Sequence, residues 1–134
     1  MLDEMIANRT ATVTIECADK HMKTPALPGA EVEAAIAGLE RERDVTLVIE
    51  LDGADERLMI AVDGSVAFLG LERADGLFQF AIQSKPSGRR ELLIGGQPTS
   101  LDARYLVDLK IASLIAREWV ERGEDSSYGS WERQ

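Results

Sequence analysis

Cys17, Asp19 and His21 stand at alternate positions near the start of the chain, and they are the residues best suited to nucleophilic or metal chemistry. Cys17 is the single cysteine and His21 the single histidine. A Cys–His pair activates a thiolate only inside a shaped cleft, and a structural zinc ion takes about four ligands. Nothing near these residues supplies either. Cys17 falls in phase with Ala11, Val13 and Ile15, and free cysteine is among the most buried residue types, so it reads as a core thiol. One cysteine excludes an internal disulfide and suits a reducing compartment.

Gly95–Gly96–Gln97 spells the tripeptide with which peptide-chain release factors hydrolyse peptidyl-tRNA. Here it follows a strand pattern, Pro98 comes next, and the net charge of −9 repels an RNA surface. It reads as a turn whose glycines permit unusual backbone angles. The carboxylates are many but scattered. Asp52, Asp55, Asp63 and Asp75 fall at turn positions, where Asp is favoured for backbone reasons. Acid–base catalysis needs carboxylates converging in a pocket, and no phosphate-cradling loop or nucleophile elbow occurs. The expectation is a non-enzyme with no metal and no cofactor.

The 134 residues suffice for one domain spanning 1–134, with 45% hydrophobic and 29% charged residues. No apolar run reaches the roughly 18 residues of a membrane helix, and the acidic start lacks a signal-peptide core. A cytoplasmic protein is expected. Fifteen Lys and Arg stand against 24 Asp and Glu. Such a surface disfavours direct nucleic-acid binding and steers the chain towards basic partners.

The elements that would position these residues follow from periodicity. Thr10 to Cys17 alternate apolar and polar, the mark of a half-buried strand. Ala18 to Gly29, with two prolines, reads as a loop. Val32, Ile36 and Leu39 predict a helix over 30–43. Val45–Leu51, Leu58–Val62, Val66–Leu71, Phe78–Ile82 and Leu92–Ile94 predict five strands, with Asp63–Gly64 as a two-residue hairpin turn. A long helix is predicted from about Ala103 to Arg122, capped by Ser100 or Asp102 and stopped at Gly123. The expected fold is α+β: an antiparallel meander of five to six strands with two helices on one face. Trp131 stands in a polar tail with Tyr128. It either folds back onto the domain or anchors a partner.

The order of these features resembles the immunity proteins of bacterial polymorphic toxin systems, most closely the first-numbered immunity family. The likeness rests on the acidic meander from Val45 to Ile94, then Gly95–Gly96–Gln97 and Tyr105–Leu106–Val107. It continues through Ala112-x-x-x-Ala116–Arg117–Glu118–Trp119, Gly123 and Trp131–Glu132. It implies a cytosolic protein that binds one secreted toxin domain, often a nucleic-acid deaminase, one to one and blocks its active site. An acidic secretion chaperone for an effector is the alternative. With helices on one face, the opposite face and its turns are expected to be free. The expected toxin contacts are therefore Asp52, Asp55, Asp63, Glu72 and Asp75 at the turns, Gln79 and Gln83 on the open face, and Trp131 in the tail. Reversals such as Asp63→Lys and Asp75→Lys are expected to weaken the complex and spare the melting temperature.

Overall fold

The computed structural model describes residues 9–17, 20–82, 87–123 and 126–134. The fold is α+β, a large antiparallel sheet with two helices, and the sheet has more strands than the sequence pattern suggests. Its strands are β1 (Thr10–Cys17), β2 (Lys20–Pro28), β3 (Val45–Leu51), β4 (Arg57–Asp63), β5 (Val66–Arg73), β6 (Gly76–Ile82), β9 (Leu106–Asp108) and β10 (Gly129–Arg133). Between β6 and β9 in the chain lie β7 (Arg89–Ile94) and β8 (Gln97–Asp102), which pair only with each other. Helices α1 (Gly29–Ala37) and α2 (Leu109–Arg122) complete the chain. The main sheet runs β10-β6-β5-β4-β3-β1-β2, and β9 pairs with the first half of β5.

Alternation sorts the side chains onto two faces. One face carries Val13, Leu47, Ile49, Ile60, Leu69 and Phe80, all buried against Val32 and Ile36 of α1 and Ile115 and Trp119 of α2. Arg117 ties the two helices together, reaching Glu33 of α1 at 2.9 Å and Glu121 of α2 at 3.2 Å. Cys17 is half-buried and packs against this same core, as its phase predicts.

The other face is not free. The β7–β8 hairpin folds over it, so that Leu92 of β7 packs with Ala61, Phe68 and Leu106 in a second apolar cluster. The expectation of a fifth meander strand at Leu92–Ile94 is thereby corrected. Leu92 is nearly fully buried, and it finds its apolar surface above the sheet instead of beside it.

Four further differences have local causes. Residues 20–28 form an edge strand instead of a loop, because Pro25 falls in a bulge where the register jumps from Thr24 to Leu27 and an edge leaves one row of amides unpaired. Helix α1 ends at Ala37. Beyond Gly38, tighter turns such as Leu39 N–H to Ile36 C=O (3.0 Å) take over, and residues 40–43 are all charged. The predicted long helix is preceded by a 3-10 turn (Ala103–Tyr105) and β9, because Leu106 and Val107 bury on opposite faces of the sheet, a period of two that a helix cannot satisfy. Asp102 caps the 3-10 turn and Asp108 caps α2, each accepting a backbone N–H. At the β4–β5 hairpin the loop residues are Gly64 and Ser65, with Asp63 paired to Val66, so the turn sits one residue later than Asp63–Gly64. Gly64 supplies the positive φ of 68°.

Candidate functional site

The hairpin covers only half of its face of the sheet. Along β4 the residues on that face are Arg57, Met59, Ala61 and Asp63, and the hairpin begins to cover them at Ala61. The open half carries Val48, Met59, Gly70, Leu77 and Gln79, with Arg57 and Glu72 towards the end of the sheet where the β3–β4 and β5–β6 turns lie. Beside it, an open depression of about 590 Å³ is lined by Thr12, Lys23, Glu50, Asp52, Asp55 and Glu56 together with Arg57 and Glu72.

The expected contact residues divide sharply. Asp52 and Asp55 are exposed on the β3–β4 turn, and Asp52 is held by the hydroxyls of Thr10 (2.7 Å) and Thr12 (3.0 Å). Glu72 faces Arg57 across the β4–β5 ladder, 2.8 Å away. Asp75 takes both arms of the Arg73 guanidinium at 3.0 and 2.9 Å, and Arg133 donates to its backbone carbonyl at 2.7 Å. Both arginines lie over the ring of Phe78, at 4.6 and 4.9 Å. The hydrogen bond from Arg73 holds the Asp75 carboxyl below the usual carboxylate range. Asp75 is therefore a neutralised corner. Gln79 points to the open face, half-buried, and Gln83 lies outside the described residues.

Asp63 is placed wrongly by the sequence pattern. It stands at the opposite end of the sheet from the other four carboxylates, and only 8% of its side chain is exposed. It accepts from Arg43 Nε at 2.6 Å, Arg43 Nη2 at 3.2 Å and the Leu93 backbone N–H at 3.3 Å. The Arg43 hydrogen bonds hold its carboxyl below the usual range, against the opposing effect of burial. It fastens the hairpin and the α1–β3 loop to the sheet. A lysine there would break that junction, so the expectation that Asp63→Lys spares the melting temperature does not survive the structure.

Trp131 folds back onto the domain. It sits on β10 opposite Phe80 of β6, with the rings edge to face at a centroid distance of 5.0 Å. On the other face of β10, Glu132 accepts from Arg104 at 2.9 Å and from the Tyr105 hydroxyl at 3.0 Å, so the tail is clamped on both sides.

No family model matches this sequence, and no curated protein matches it.

His21 lies exposed on edge strand β2, its Nδ1 3.5 Å from Glu16 Oε1. Among the described residues, no group of three or more His, Cys, Asp or Glu side chains is arranged to hold a metal ion, and no helix is long and apolar enough to cross a membrane. Gly95 and Gly96 form the tip of the β7–β8 hairpin with φ of 58° and 78°, both positive, as a two-residue turn there requires. The tripeptide is thus a turn in this fold, as its sequence context suggests.

Sequence reasoning missed Glu50, Glu56, Arg57, Met59 and Leu77. Their signal was phase. Once Leu58, Ile60 and Val62 are assigned to the core, Met59 must face away from it, and a large apolar residue in that phase is unexplained by the core.

Proposed function

We propose that the protein is a non-enzymatic immunity protein that binds a cognate toxin domain one to one and blocks its active site. The observation that carries this reading is the acidic end of the sheet. Glu50, Asp52, Asp55 and Glu56 crowd one turn and the strand ends beside it, while the neighbouring Arg57 and Arg73 are ion-paired with Glu72 and Asp75. The crowded carboxylates are held by a hydrogen-bonded sheet, so little conformational entropy is lost when they meet a partner. Carboxylates on a fixed framework suit a basic groove that otherwise receives phosphates, which favours a toxin acting on nucleic acid. The resemblance to the immunity family narrows that class to nucleic-acid deaminases.

The test is co-expression with the product of the adjacent gene. An immunity protein restores growth, abolishes the toxin's activity in a purified assay and gives a one-to-one complex by light scattering. A partner that stays soluble but fully active in the complex marks a secretion chaperone instead. Absence of any complex overturns the proposal.

A further inference from the structure

Three large apolar side chains stand exposed among the described residues: Met22 (61%), Met59 (36%) and Leu77 (51%). Met22 lies on edge strand β2, but the other two share the open half of the hairpin-covered face. Between their strands runs β5, where Gly70 pairs with Met59 on one side and Gln79 on the other. Without a side chain at Gly70, the pleat there is hollow. The result is an apolar cleft of about 300 Å³, walled by Val48, Met59 and Leu77 and floored by Gly70.

This cleft is continuous with the acidic depression. Arg57 and Glu72 line both, and their ion pair forms the low ridge between them. Apolar centre and charged rim together have the anatomy of a protein-binding surface, in which desolvated apolar anchors carry affinity and rim charges set encounter rate. Five carboxylates line the depression (Glu50, Asp52, Asp55, Glu56 and Glu72) against the cations Lys23, Arg57 and Arg73, and Arg57 and Arg73 are ion-paired with Glu72 and Asp75, so the balance selects a basic occupant.

We infer that the Met59–Gly70–Leu77 cleft is the anchor pocket of the toxin contact. Its occupant is a protein surface carrying one Leu- or Phe-sized side chain, which fills the hollow over Gly70, next to a Lys or Arg that reaches the carboxylates of the β3–β4 turn. This inference rests on the immunity reading and moves the centre of the contact from the turn tips onto the sheet face. It also gives Gly70 a role that the fold alone does not require. A Cβ there meets its nearest neighbours, Met59 Cε and Phe68 Cε1, at an ordinary 3.7 Å.

The experiment measures binding of the purified, catalytically inactivated product of the adjacent gene to the full-length chain and to Met59→Glu, Leu77→Glu and Gly70→Val. All three substitutions are compatible with the fold, which thermal melting checks, and Leu77→Ser replaces any variant that fails to fold. Each should weaken binding at least about tenfold through faster dissociation, and the loss should persist at high salt. Met22→Glu, the same kind of change on the β2 edge, should bind like wild type. Cleft variants that bind as tightly as wild type overturn the inference while leaving the immunity reading intact. If Met22→Glu alone abolishes binding, the contact is on β2 and the inference is again wrong. A wild-type chain that does not bind the adjacent product removes both.

Discussion

Replacing Asp63 by alanine isolates what holds the β7–β8 hairpin to the sheet. The carboxylate loses two hydrogen bonds from Arg43 and one from the Leu93 amide, from a site where only 8% of its side chain is exposed. Hydrogen bonds to charged groups contribute about 1.5–3 kcal/mol each in favourable sites, but Arg43 is itself well exposed and solvent screens its share. A total loss of about 2 kcal/mol follows for Asp63→Ala. In a chain of this size that lowers the melting temperature by roughly 6–10 °C. Urea titration should show a lower midpoint at unchanged slope, and amide exchange should quicken across residues 89–102. Acid sensitivity provides a second readout. Because the folded-state pKa is depressed below the unfolded one, the carboxylate stabilises the fold above the ordinary carboxylate range. That contribution is lost as pH falls through the folded value. Below about pH 4 the wild type should therefore lose stability more steeply than Asp63→Asn. A melting temperature within about 2 °C of wild type for Asp63→Ala, with hairpin exchange unchanged, would refute the reasoning. The apolar cluster around Phe68 and Leu92 would then hold the hairpin alone.

Trp131→Ala should destabilise by about 2 kcal/mol, less than a fully buried tryptophan would, because the side chain is only half-buried at the sheet edge. Guanidinium unfolding measures this, and a loss under about 0.5 kcal/mol would mean that β10 is not docked in solution. On the proposed immunity function, the Cys17→Ser/His21→Ala chain should protect the producing cell as well as wild type, with a slightly lower melting temperature; loss of protection by the folded variant would point to chemistry at these residues. Association with the proposed toxin partner should slow as salt rises, and Asp52→Asn/Asp55→Asn should flatten that dependence, as read by stopped-flow fluorescence. An on-rate indifferent to salt removes the steering role of the β3–β4 turn. Asp75→Lys should leave the melting temperature almost unchanged, in contrast to Asp63→Lys, because its partners Arg73 and Arg133 reach it at an exposed corner.

Alternation and turn residues were enough to reveal β1, β3, β4, β5 and β6. In β1, β3, β4 and β6 successive side chains face opposite ways and only one phase is apolar throughout, whereas β5 is apolar in both phases and was marked by the turn residues at its two ends. The α+β class and the core role of Cys17 followed from the same period. Local chemistry also sufficed for the Gly95–Gly96 turn, since two consecutive positive φ angles demand residues of that kind. The placement of β7 did not follow. Leu92 and Ile94 alternate just as sheet residues do, and nothing local distinguishes a strand added at the sheet's edge from a hairpin laid across its face. That choice depends on Ala61, Phe68 and Leu106, which are distant in sequence and present apolar surface on the side away from the helices. Strand β2 was hidden for a related reason: its nine residues are almost all exposed, so it carries no burial pattern, and only its register with β1 defines it. The candidate site shows the same division. The sequence determined that carboxylates would stand at turns. Tertiary structure alone decided that Asp63 is locked under Arg43, that Asp75 is neutralised by two arginines, and that Glu50, Asp52, Asp55 and Glu56 remain beside an apolar hollow. Ion pairing and the coverage of a sheet face are long-range facts, set by which strands meet and not by the order of residues within any one of them.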